Sequence, residues 1–110
     1  MINFKTLAEF KKNIKIGAKL HTLYHREFDS RDEKNQPIYK TIDKGVREIS
    51  IVQTNAFACK TQKTDGTFTD SWLQYPKASE VKIIDNSKLE VYEIDREGIH
   101  TKILTYSFAD

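Results

Sequence analysis

Cys59, His21, His25 and His100 are the residues whose types could carry nucleophilic or metal chemistry. A thiol nucleophile needs a neighbouring base and an electropositive setting. Cys59 instead falls within Ala56-Phe-Ala-Cys59, a run of small and apolar residues that reads as core strand. His21 and His25 share one face of an extended segment, but four residues along a strand set them about 13 Å apart. There is no Cys-x-x-Cys, no His-Glu-x-x-His and no Gly-x-Ser-x-Gly. Gly17, Gly45, Gly66 and Gly98 are scattered one to a turn and build no phosphate loop. Asp32-Glu33 reads as a charged loop, and Glu90, Glu93, Asp95 and Glu97 as the wet edge of a strand and its turn, neither in a setting for acid–base work. The expectation is a protein that is not an enzyme and carries no cofactor or metal.

Binding chemistry is better represented. Trp72, Tyr75 and Tyr24 are large aromatics with polar neighbours, and Lys60, Lys63 and Lys77 flank the hairpin that carries Trp72. Aromatics interleaved with lysines suit stacking on single-stranded nucleic acid, and equally a protein–protein hot spot. A further basic strip, Lys11, Lys12 and Lys15, lies off the apolar stripe of the first helix. The candidate partner-binding set is therefore Lys60, Lys63, Trp72, Tyr75, Lys77, Lys11, Lys12 and Lys15. The competing structural role puts Trp72 at a sheet end, packed under the helix, and that role is favoured for Trp72.

The elements that must position these side chains follow from pattern. Thr6-Leu-Ala-Glu9 matches a capping box. Leu7, Phe10 and Ile14 then form one stripe, and Gly17 suits the position just past a helix end, which predicts a helix over 7–16. Extended segments are expected over 19–28, 38–42, 46–53 and 56–61, then from Phe68 to Leu73 and over 81–84, 89–94 and 99–108. Asp29 to Pro37 reads as a charged loop, Asp43-Lys-Gly45 as a turn, and Asp65-Gly66 as a tight hairpin turn with positive φ angles. Pro76 to Glu80 reads as one 3₁₀ turn. One helix and about seven short strands predict an α+β fold: an N-terminal helix packed on a strongly bent antiparallel sheet or small SH3-like β-barrel, a single domain over 1–110. Closure is expected because it removes sheet edges.

Composition bounds the setting. The chain has 110 residues, 31% charged and 38% hydrophobic, with a net charge of +2, too small to mark a nucleic-acid binder by itself. Residues 1–47 hold eleven Lys and Arg against six Asp and Glu, so the basic charge sits in the N-terminal part. A single cysteine, no apolar leader and no long apolar run point to a cytoplasmic protein with no membrane contact.

Two strings, Gly45 to Phe57 (GVREISIVQTNAF) and Trp72 to Glu80 (WLQYPKASE), resemble small proteins of phages and other mobile elements of Gram-positive bacteria. The resemblance covers roughly residues 10–84. It implies no enzymatic activity and no cofactor. It implies a binder of a host protein or ribonucleoprotein, including the class of anti-CRISPR inhibitors. A mildly basic chain does not fit whole-surface DNA mimicry, which leaves blocking of a protein surface or contact with guide RNA. The alternative is a nucleic-acid-binding β-barrel domain.

Overall fold

The computed structural model describes residues 2–109. One short helix, α1 (Leu7–Lys12), precedes seven strands: β1 (Lys19–Arg31), β2 (Pro37–Val52), β3 (Ala56–Gln62), β4 (Phe68–Gln74), β5 (Val81–Ile84), β6 (Lys88–Ile94) and β7 (His100–Ala109). They form one antiparallel sheet in the order β4-β3-β2-β1-β7-β6-β5. β1 to β4 run outward as successive hairpins on one side. β5 to β7 return as a second meander, and β7 closes onto β1 with Leu20 opposite Phe108 and Tyr24 opposite Leu104.

This corrects the expected α+β fold of a helix on a strongly bent sheet or small SH3-like barrel. The described residues are mostly strand, with a single short α-helix, and among them the sheet is open: β4 and β5 are its two edges and do not pair. Hairpin spacing reports how many antiparallel pairs form, but closure depends on whether the two edge strands of the sheet meet, which no local pattern encodes.

The helix is also shorter than its stripe. Thr6 caps it, its Oγ1 accepting from the Glu9 amide, while the Lys5 amide donates to the Glu9 carboxylate. It ends at Lys12, and Ile14 reaches the core from the turn that follows. Gly17 (φ +91°) instead serves a junction: its amide donates to the Ile49 carbonyl, and the Ile49 amide donates to Ala18.

The core lies on one face of the sheet, under α1 and the segment before it. Phe4, Phe10 and Ile14 from this cover bury against Leu20, Ile49, Phe57, Cys59, Leu89, Tyr106 and Phe108. Phe10 stacks on Tyr106 at 5.9 Å between ring centres and meets Phe108 at 5.3 Å. The cover is pinned at its start, where the Phe4 amide donates to the Asn86 carbonyl in the β5–β6 turn.

Turn chemistry differs from expectation at two places. Asp43-Lys-Gly45 does not end a strand. It is a bulge inside the 16-residue β2, opposite Thr22 of β1, with Gly45 at φ +74° and its amide donating to Asp43 Oδ1 at 2.7 Å. Asp65-Gly66 lies in a five-residue loop, Lys63 to Thr67, where only Gly66 (φ +88°) is left-handed. The same loop recurs at Asp32 to Gln36 and Asp95 to Ile99. In each, the first amide donates to the last carbonyl, and Asn35, Gly66 or Gly98 takes the left-handed position. Successive positive φ angles occur instead at Asp85 and Asn86.

The charged segment after Phe28 is a loop only over Asp32–Gln36; Asp29 to Arg31 belong to β1 and Pro37 to β2. β1 pairs with β7 only as far as Tyr24, and β2 pairs with β3 only from Ile49. The distal parts of β1 and β2 therefore pair only with each other, as a two-stranded arm. Arg26 lies 4.0 Å over the Tyr39 ring and holds that arm's aromatic face. The arm contributes to a radius of gyration of 15.2 Å, against about 13 Å expected of a compact domain this size.

Candidate functional site

Strand alternation divides the sheet into an inner face under α1 and an outer face. On β4, Ser71 and Leu73 oppose Cys59 and Phe57 and look inward. Phe68, Asp70 and Trp72 therefore look outward, opposite Gln62, Lys60 and Ala58. Trp72 is 50% exposed, Phe68 63% and Val46 51%. Trp72 thus does not pack under the helix; it stands on the opposite face. The alternation that brings Leu73 to the core sends Trp72 outward. Ala58 beneath it is fully buried, so the indole lies across a small residue that lets it sit close to the sheet.

The outer face of β2 to β4 is organised by polar links. Ser50, the extra residue of a bulge in β2, donates through Oγ to Asp70 at 2.7 Å. Lys60 Nζ lies 3.5 Å from Glu48 Oε2. Between them Val46, Arg47, Glu48, Lys60 and Phe68 line an open cavity of about 420 Å³. β4 is also an edge of the sheet, seven residues long, without proline and with one charge, Asp70. The other edge, β5, has four residues and follows directly on the 3₁₀ turn Ala78–Glu80.

The candidate residues do not form one surface. Lys60 and Trp72 share the outer face, and Lys63 sits at the base of the β3–β4 loop, its amide donating to the Thr67 carbonyl. Lys11, Tyr75 and Lys77 come together elsewhere, around a cavity of about 460 Å³ between α1 and the corner after β4. There Tyr75 packs on Phe57 at 5.3 Å, with Lys11 Nζ 5.3 Å from its ring centre. Burial raises the Tyr75 phenol pKa above its ordinary 10.0. The Lys77 amide donates to Glu80 Oε1 at 3.0 Å, which fixes the corner. Lys12 is exposed on α1, and Lys15 is exposed beyond it.

Phe68 and Val46 were not among the sequence candidates. Phe68 had a signal, since it shares an alternation with Trp72. Val46 had one too, since strand alternation puts it on the face opposite Ile49.

The chemically suggestive groups are placed as follows. His25 accepts or donates at both nitrogens, Nδ1 to Thr41 Oγ1 at 3.0 Å and Nε2 to Thr105 Oγ1 at 2.7 Å. A hydroxyl, not a carboxylate, orients the ring. Burial lowers the pKa of His25, and nearby Lys102 adds to the effect. Burial opposes ionisation of Glu90, but hydrogen bonds from Lys102 and Tyr92 outweigh it and lower its pKa. His21 is 2.7 Å from Asp43. Cys59 is fully buried, and burial raises its thiol pKa. Among the described residues no group of three or more His, Cys, Asp or Glu is placed to hold a metal ion. No helix among them is long and apolar enough to cross a membrane. Comparison with protein-family models, curated proteins and solved structures gives no match.

Proposed function

We propose that this is a non-catalytic binding protein that docks on a macromolecular partner through the edge strand β4 and the outer-face aromatics Trp72 and Phe68. The single observation that carries the reading is an unprotected sheet edge flanked by two half-exposed aromatic rings on one face. An edge strand offers unpaired backbone donors and acceptors to an extended segment of a partner, and neighbouring aromatics supply buried area. The resemblance of the Gly45 and Trp72 strings to mobile-element proteins makes the partner a host protein or ribonucleoprotein. The action is then to occlude a surface of a defence system, as an anti-CRISPR-type inhibitor does.

A protein surface suits this face better than a nucleic-acid backbone. Lys60 is paired with Glu48, and Asp70 stands beside it, so the aromatics have no net basic surround. Capture of a partner from a Gram-positive host lysate, with and without nuclease, tests the reading when wild type is compared with Phe68→Ser/Trp72→Ala. The double variant is expected to weaken binding by more than about 2 kcal/mol, the level of a hot spot. Lys12→Ala, on the helix side, is expected to bind as wild type. Equal capture by the double variant, or capture of nucleic acid with no protein, would contradict it.

A further inference from the structure

A second site lies on the inner face, beyond the part that α1 covers. Thr22, Tyr24, Lys44, Arg47, Leu73 and Leu104 line a cavity of about 290 Å³, near the lower end of the roughly 300–1,000 Å³ of small-molecule sites. Arg47 opposes Leu20, whose side chain is in the core, so strand geometry sends the guanidinium inward. Its partners there are neutral: Nη1 donates to Thr61 Oγ1 at 3.3 Å and Nη2 to Thr22 Oγ1 at 3.4 Å. Nε is buried and has no partner among the described residues. Lys44, carried on the bulge, is the second cation, with its Nζ 5.7 Å from the Tyr24 ring centre. Among the described residues neither forms an ion pair with a carboxylate, and no lining residue is acidic.

Two cations around a partly dry cavity with no anion leave an electrostatic imbalance. Drawing a guanidinium out of water is costly unless an opposite charge or strong acceptors compensate, and two long bonds to hydroxyls do so only in part. A carboxylate would supply both. The walls opposite the cations are apolar, Leu73 and Leu104, with the Tyr24 ring at the side. We infer that this cavity binds a small organic acid, its carboxylate between Arg47 and Lys44 and its apolar body against Leu73, Leu104 and Tyr24. The site lies on the face of the sheet opposite Trp72 and Phe68, although Leu73 reaches it from β4.

Benzoate is a suitable probe, with benzamide as its neutral counterpart and inorganic phosphate as an anion without an apolar body. Amide chemical shifts of the labelled full chain are followed during each titration. Benzoate is expected to shift Thr22, Arg47, Leu73 and Leu104 saturably, phosphate to bind more weakly, and benzamide to leave them unmoved. Lys44 is exposed, so Lys44→Met is expected to leave the fold intact; it and Arg47→Lys are each expected to weaken benzoate binding about tenfold. If Arg47→Lys does not fold, Lys44→Met decides alone. Equal binding of benzamide and benzoate, shifts centred on Lys11 and Lys12, or an unchanged benzoate affinity in Lys44→Met would overturn the inference.

Discussion

Cys59 and His25 show at the level of single residues how burial sets chemistry. Cys59 sits with Phe57 and Ile49 at the centre of the core, and its raised pKa keeps it a thiol at neutral pH. It is expected to resist a thiol reagent such as DTNB in the native protein and to react at once in denaturant; rapid native labelling would contradict its placement. His25 predicts a pH dependence. Its pKa is lowered on folding, so the unfolded chain takes up the proton first as pH falls. Its stability contribution is complete above the ordinary value of 6.5 and is lost as pH falls from there through the lower folded value. Melting temperature is expected to fall as pH drops below about 6.5, and His25→Asn to flatten that slope. The strand position of both residues was legible from alternation around them. The hydroxyl partners of His25 were not, because Thr41 and Thr105 are brought to it by two different neighbouring strands.

Individual elements show where local rules suffice. The Thr6 side-chain cap was readable because its partner Glu9 lies three residues on, although the Glu9 carboxylate returns to the Lys5 amide and not to that of Thr6; Thr6→Ala is expected to cost about 1 kcal/mol in a urea titration. The length of α1 was not readable. Ile14 continues the helical stripe, yet it reaches the core from non-helical backbone, so periodicity alone overran the end. Asp43-Lys-Gly45 is the sharper case. A glycine at positive φ with an aspartate two residues before it serves a turn and a bulge equally well, and the difference lies in whether β1 continues alongside. A Cβ at Gly45 would meet nothing within 4 Å, so Gly45→Ala is charged only for its backbone, about 1 kcal/mol. A much larger loss would show that the bulge is more tightly packed than this. The inner-face cavity depends on the same bulge, since it carries Lys44 and sets the direction of Arg47 and Val46.

The whole molecule turns on the strand order. Each hairpin neighbour was inferable from turn spacing, but the β1–β7 pairing joins residues near the two ends of the chain. Nothing local announces it, nor that β4 and β5 fail to meet. That openness separates this sheet from the barrel expected of it and leaves β4 as an exposed edge. The candidate site was legible only in part: Trp72 and Lys60 belong to the outer face, whereas Tyr75, Lys77 and Lys11 surround the corner by α1. Phe57→Ala, at the centre of the core on β3, is expected to cost about 3–5 kcal/mol and to loosen the sheet on which both faces depend. The central claim is that the β4 edge and outer face engage a partner. It is tested most directly by acrylamide quenching of Trp72, the only tryptophan, in the free protein and in the complex with the captured partner. The account predicts ready quenching in the free protein and strong protection in the complex. A Trp72 that remains equally quenchable when the partner is bound would contradict it.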